Sequence, residues 1–296
     1  MALELRHLRY LLAVSEHGNF TRAAEDLRIS QPTLSQQIKQ LEKSLGAQLL
    51  DRTGRTVRLT DAGEAYVPYA RRALRDLAAA ERAVLDVQDL TRGHLRLAMT
   101  PTFTAYLTGP LVARFHERHP AISVDVREMN QDGIEAALLA DELDLGIAFS
   151  ADHHLPGISA TALFTETLGL VVGSRHPHSG REGALPVREM ADGLELALLS
   201  GDFATRGHID GYLAAHRVQP RITVEANSIN ALTEIVRRTE LATVLPDALT
   251  RDHGHLHPVP LAPALPARTV VLLRRDSAYT SAAAQALARI IRRWEA

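Results

Sequence analysis

The sequence has no cysteine. Disulfides, thiolate catalysis, Cys-based zinc sites and thiol redox sensing are therefore excluded. No run approaches the roughly 20 apolar residues of a membrane span. "MALELRHLRY" carries charge where a signal peptide would be apolar. No membrane partner is expected, and the cytoplasm is the expected location. The sequence holds no G-x-S-x-G, H-E-x-x-H, P-loop or G-x-G-x-x-G. No catalytic residue and no cofactor is expected, so the chain does not read as an enzyme. Histidines cluster in "HERH" (116–119), "DHH" (152–154) and "HGHLH" (253–257). The first has the wrong spacing for a helical zinc site, and loop histidines are usually solvated, so no metal is expected.

The chain offers 296 residues, 46% of them hydrophobic and 23% charged. That suffices for two or three soluble domains with a sizeable core. The net charge of −2 conceals an asymmetry: residues 1–58 hold nine Lys/Arg against six Asp/Glu, and residues 91–296 hold 20 against 23. A basic head on an acidic body suits a small nucleic-acid module joined to something else.

Periodicity divides the head into short helices. Residues 4–15 place Leu5, Leu8, Leu12 and Ser15 on one face, and Gly18 stops them. "TRAAEDL" (21–27) makes a second helix with Asn19 or Thr21 as its N-cap. The third runs from Gln31 to Leu45, capped by Ser30, with Pro32 in its first turn and Gly46 after its end. On a helical wheel Leu34, Ile38, Leu41 and Leu45 form one stripe. Pro32, Gln36, Lys39 and Lys43 lie opposite, flanked by Ser35 and Gln40. Neutral donors and acceptors on an exposed face suit base edges and phosphate oxygens, because they carry no charge to desolvate. "QLLDRTGRTVRLT" (48–60) reads as a hairpin whose Arg52, Arg55 and Arg58 could reach phosphates. Together these elements predict a winged helix-turn-helix over 1–60.

Residues 61–91 predict a long linker helix. Tyr66, Ala70, Ala73, Leu77, Ala80, Val84 and Val87 recur at spacings of four and three, which fits a coiled-coil seam or packing within the chain. Pro68 should kink this helix near its start. From residue 92 onward, "HLRLAMT", "ISVDVRE", "LDLGIAF", "LGLVVGS", "LELALLS", "ITVEA", "LATVLP" and "TVVLLRR" read as strands. Helical segments lie between them, which predicts α/β with a largely parallel sheet. "HPVPLAPALPA" (257–267) reads as a Pro-rich loop, and "SAAAQALARIIRRW" as a closing helix. Three strand ends carry hydroxyl or amide residues directly before a helix: Thr100, Thr102 and Thr104; Ser200 and Thr205; Asn227 and Ser228. Each could simply cap its helix. Their repetition favours a ligand site, to which Pro101, Phe103, Phe149 and Phe203 would add walls. Caps and helix dipoles without an obvious acidic group point to a small anion.

"FTRAAEDLRISQPTLSQQIKQLEKSLGAQLLDRTGRTVRLTDAG" (20–63) resembles the DNA-binding head of the LysR-type transcriptional regulators. The Ala-Ala pair, Ser-Gln-Pro, Ser-x-Gln-Ile, Leu-Gly, Leu-x-Asp-Arg and Leu-Thr-x-Ala-Gly carry the likeness. It implies DNA contacts from Gln31, Pro32, Thr33, Ser35 and Gln36 on the recognition helix and from Arg52 and Arg55 in the wing, with Thr21 and Lys39 beside them. It further implies that the long helix pairs two chains, that dimers or tetramers meet an inverted-repeat operator in double-stranded DNA, and that RNA polymerase is a partner. The body, 92–296, would be an effector domain of two subdomains resembling periplasmic binding proteins, with boundaries near 92–163 plus 268–296 and 164–267. The expected effector contacts are Thr100, Pro101, Thr102, Phe103, Thr104, Phe149, Ser200, Phe203, Thr205 and Asn227. "DLTRGHLRLAMTPTFTAYLTGPL", "FATR" and "VEANSINAL" look closer still to the members that govern cyanate use, implying an activator that answers cyanate or its analogue azide. "SRHPHSGREGALPVREMADGL" (174–194) departs from the family pattern and is expected on the surface of the second subdomain.

Overall fold

The computed structural model describes residues 4–54, 56–88, 93–151, 153–191, 193–251, 253–276 and 278–294, with backbone alone at 79 and 81–88. The chain forms two compact units, Met1–Leu85 and Asp86–Ala296.

The first unit packs α1 (Leu5–His17), α2 (Phe20–Asp26) and α3 (Gln31–Leu45) around Leu11, Val14, Ala23, Ala24, Leu34, Ile38 and Leu41. Capping chemistry sets the helix ends. Asn19 accepts from the Thr21 and Arg22 amides, Ser30 accepts from that of Thr33, and Gly18 and Gly46 close α1 and α3 at positive φ. The buried stripes differ from the wheel in two places. Leu5 is 47% exposed and Leu45 41% exposed, because α1 turns His7, Leu8, Leu11 and Val14 inward and the core ends at Leu41. The hairpin β1 (Leu50–Asp51) and β2 (Arg58–Leu59) follows. Helix α4 (Asp61–Gln88) then runs on through Pro68. Val67 and Ala70 are buried at its start, whereas Ala73, Leu77 and Ala80 are exposed. The side chains of Val84 and Val87 lie outside the described residues.

The second unit holds two five-stranded sheets built alike. In the first sheet β3 (Gly93–Met99), α5 (Pro101–Tyr106), α6 (Thr108–Arg118), β4 (Ile122–Glu128), α7 (Gln131–Leu139), β5 (Leu145–Phe149) and β6 (Ile158–Glu166) follow in turn. The second sheet takes β7 (Leu168–Gly173), then a two-residue β8 (Leu185–Pro186), β9 (Glu195–Leu199), α8 (Ala204–Ala215), β10 (Arg221–Ala226), α9 (Ile229–Arg238), β11 (Ala242–Pro246), α10 (Asp247–Arg251) and β12 (Leu256–Val259). The two-residue β13 (Leu261–Ala262) pairs with β8. The chain then returns to the first sheet as β14 (Arg268–Arg275) and ends in α11 (Ala282–Ile291).

The strand orders are β4-β3-β5-β14-β6 and β10-β9-β11-β7-β12. In each, two pairings are parallel and two antiparallel. The sheets are therefore mixed rather than largely parallel, because the strands that pass between them run against the helix-linked ones. Both faces of each sheet are buried, with Leu95, Leu97 and Met99 on one side of β3 and Ala98 on the other. Two further expectations are corrected. Part of the Pro-rich segment forms β12 and β13. Segment 174–194 is partly core, with Leu185, Val187 and Met190 buried among the second sheet's apolar residues.

Candidate functional site

The turn between α2 and α3 is short and sharply defined. Arg28 takes φ 55°, the Ile29 amide donates to Ala24 O at 3.0 Å, and Ser30 Oγ receives the Thr33 amide at 3.2 Å. That geometry presents one face of α3 outward. Gln31, Pro32, Thr33, Gln36, Lys39 and Lys43 are exposed there, with Ser35 half-buried. Thr33 also shares its hydroxyl with Ser30 Oγ at 2.6 Å, so its side chain works in the cap. Thr21 is exposed in the first turn of α2. Arg55 lies outside the described residues.

Two contacts that the sequence did not signal hold this face. His7 is buried, and its Nδ1 accepts from the Glu4 amide at 3.2 Å. The proton therefore sits on Nε2, which donates to Gln37 Oε1 at 3.0 Å and ties α1 to α3. Glu42 accepts from the Leu49 and Leu50 amides at 3.0 and 3.2 Å and from Arg52 Nη2 at 2.8 Å. The Arg52 guanidinium also lies 5.1 Å from the Phe20 ring centroid. Arg52 thus pins the wing to α3, and only its remaining N–H groups are free to reach a phosphate.

In the second unit a cavity of about 500 Å³ opens among the ends of strands from both sheets. Thr100, Pro101, Thr102 and Phe149 line it from the first sheet, as do Asn130, Gln131 and Asp132 at the start of α7. Gly201, Asp202, Phe203, Ala204 and Gly207 line it from the second. Five of the expected contacts are therefore together. Thr205 stands behind them, 1% exposed, with its hydroxyl 3.0 Å from that of Thr102. Ser200 precedes the lining residue Gly201. Phe103 is fully buried in the core, Thr104 is engaged by Pro101 O at 2.8 Å and by Glu128, and Asn227 is exposed outside the lining. Capping does not use these groups: neither Thr100 nor Phe203 makes a side-chain cap bond, and Ser228 rather than Asn227 caps α9. Thr100 Oγ1 and Ser200 Oγ are both buried without a hydrogen-bond partner among the described residues. An unpaired buried hydroxyl costs free energy that a ligand or water can return.

Charge at this site differs from the expectation of no acidic group. Asp132 and Asp202, both exposed, stand at the rim. Against them α7 and α8 direct their N-termini toward the cavity. Behind Phe149 lies a cluster of buried Glu166 and Arg268 with half-buried Tyr106, which the sequence did not signal. Arg268 pairs with Glu166 and lies 3.6 Å from the Phe149 ring centroid, and Tyr106 Oη donates to Glu166 Oε1 at 2.8 Å. Burial pushes the Glu166 carboxyl up and the Arg268 guanidinium down, while their mutual attraction opposes both shifts.

The histidine clusters are engaged locally. His154 Nδ1 meets Glu135 at 2.7 Å, His253 Nδ1 meets Leu249 O at 2.8 Å, and His257 Nε2 meets Ser174 at 3.0 Å. Asp152 lies outside the described residues.

Comparison with known proteins gives two matching family models. Residues 5–64 match the bacterial regulatory helix-turn-helix protein, lysR family, and residues 88–296 match the LysR substrate binding domain. The nitrogen assimilation regulatory protein nac of Klebsiella aerogenes is 32% identical over 251 residues, covering 84% of this chain and 80% of that one. The hydrogen peroxide-inducible genes activator of Escherichia coli O157:H7 is 28% identical over 293 residues, covering 98% and 95%. A full-length OxyR variant from Pseudomonas aeruginosa superposes with a TM-score of 0.72 at 25% identity, covering 99% of this chain and 96% of that one.

Proposed function

Because the chain belongs to the LysR family of DNA-binding transcriptional regulators, we propose that the exposed face of α3 reads an inverted-repeat operator and that the cavity between the two sheets binds the effector. The observation that carries the effector reading is the pair of unpartnered buried hydroxyls, Thr100 and Ser200, at strand ends of the two different sheets. A ligand that bonds both would favour one arrangement of the two halves, and the equilibrium between arrangements would shift in proportion to that difference in affinity. The exposed Ala73, Leu77 and Ala80 on α4 support pairing with a second copy. Assembly as a dimer or tetramer, a cytoplasmic location and contact with RNA polymerase belong to the same reading. Among the described residues no helix is long and apolar enough to cross a membrane.

Two effector classes compete. Cyanate or azide, implied only by the resemblance to members that govern cyanate use, would suit the N-termini of α7 and α8 and make the chain an activator of cyanate use. A cavity of about 500 Å³ with Asp132 and Asp202 at its rim instead favours a larger organic ligand that brings both acceptors and donors. Peroxide sensing through a thiol does not carry over from the peroxide-named relative, because this chain has no thiol to oxidise.

Thr100→Val separates the site from its occupant. Removing an unpaired buried hydroxyl should stabilise the ligand-free chain by about 1 kcal/mol. The same change should weaken effector binding about tenfold, the size of one lost hydrogen bond. Denaturation and calorimetry with cyanate and azide read the two effects. A Thr100→Val chain less stable than wild type would contradict the unpartnered hydroxyl. Absence of binding heat from either ion would reject the cyanate reading and leave the organic one.

A further inference from the structure

Glu166 is the last residue of β6 and Arg268 the first of β14, and they face each other across the antiparallel ladder. Each borders a passage of the chain between the two sheets, since β7 begins at Leu168 and β13 ends at Ala262. Their side chains pair with only 2% and 8% exposure. A pair so buried adds little net stability, because desolvation offsets much of the attraction. Its surroundings suggest what it does instead. Arg268 Nη1 donates to Thr205 Oγ1 at 3.2 Å, and its guanidinium plane lies over Phe149. Phe149 lines the cavity from the first sheet. Thr205, on α8 of the second, bonds Thr102, which also lines the cavity. One guanidinium therefore touches an element of each half beside both crossovers. Its Nε–H is buried and has no partner among the described residues.

We infer that Arg268 is the positioning residue of the cavity. It sets the spacing between the wall that carries Phe149 and the wall that begins α8, and Glu166 and Tyr106 hold it in place. Its regulatory meaning rests on the cavity being the effector site; its mechanical role rests on the contacts alone. When the halves shift, Arg268 must give up Thr205, Phe149 or Glu166. Its free Nε–H is then a donor for a carbonyl of the rearranged state. Such a residue converts a change in wall spacing into a change at the crossovers, where the two halves are joined.

Hydrogen exchange on the full, ligand-free chain tests this. Lysine keeps the charge beside Glu166, but it has no planar fork to lie on Phe149 while reaching Thr205. In Arg268→Lys, amides of 147–150 and 203–207 should exchange about tenfold faster, while 164–168 stay within about twofold of wild type. Tyr106→Phe leaves the ion pair and removes one bond to Glu166, so exchange at 164–168 and 268–270 should rise about tenfold. This variant also covers the case in which Arg268→Lys fails to fold. Unchanged exchange at both cavity walls in Arg268→Lys, or at the crossovers in Tyr106→Phe, would overturn the inference. No ligand is present, so a failed cyanate titration would strike the effector reading and leave these rates as expected.

Discussion

Gly63→Ala is expected to cost the helix-turn-helix unit about 3 kcal/mol, the upper range for forcing extra volume into a packed site. A Cβ at residue 63 would stand 2.1 Å from Leu49 O and 3.1 Å from Leu49 C. Both are backbone atoms, so no side-chain rotation relieves the clash. The surrounding bonds leave little room to move: the Thr60 amide donates to Leu49 O at 3.0 Å, Thr60 Oγ1 donates to Gln48 O at 2.6 Å, and the Gly63 amide donates to Thr60 Oγ1 at 3.1 Å. The glycine of "LTDAG" is thus required by the close approach of α4 to the loop before the wing. Native-state exchange of the core amides of Leu34, Ile38 and Leu41 measures the effect. They should exchange about 100-fold faster, as that loss of stability implies. Wild-type protection in Gly63→Ala would show that the loop and α4 are not in this contact.

Glu166→Ala should destabilise the two-sheet unit by about 3–5 kcal/mol. The cost comes less from losing the pair than from leaving the Arg268 guanidinium buried and uncompensated. Tyr106 Oη would lose its acceptor as well. The double variant Glu166→Gln with Arg268→Met removes both charges and should recover most of that loss, because a neutral pair of similar volume has no charge to desolvate. Urea unfolding distinguishes the two. A single variant as stable as wild type, or a double variant no better than the single, would contradict a desolvated pair at the crossover.

Much of this fold is legible in the sequence wherever the signal is local. The N-cap Ser30, the first-turn Pro32 and Gly46 mark α3 at both ends because capping depends on immediate neighbours. All eight apolar runs read as strands are strands. Other features depend on partners far along the chain. β6 reads "ISATALFTE", whose scattered polar residues hide an edge strand, and β12 contains Pro258, which removes a ladder donor. Strand direction is invisible to periodicity, so the antiparallel members of both sheets could not be foreseen. Of the cavity, strand-end hydroxyls pointed to Thr100 and Thr102. Asn130 carried the same signal, as the cap of a helix just after a strand. Glu166 and Arg268 carried none, since a single buried charge reads as a surface residue until its partner, 102 positions away, is known.

The most direct measurement compares wild type with Gln36→Ala by fluorescence anisotropy, on an operator selected from random DNA by the protein itself and on unrelated DNA of equal length. Gln36 is exposed on α3, and its side chain makes no hydrogen bond with any described residue. Its loss therefore leaves the head intact. If α3 reads bases, Gln36→Ala weakens operator binding by about tenfold to a hundredfold, the range for one bidentate base contact. Binding to unrelated DNA should stay within about twofold, because phosphate contacts dominate there. An equal loss on both DNAs would contradict base readout by this face.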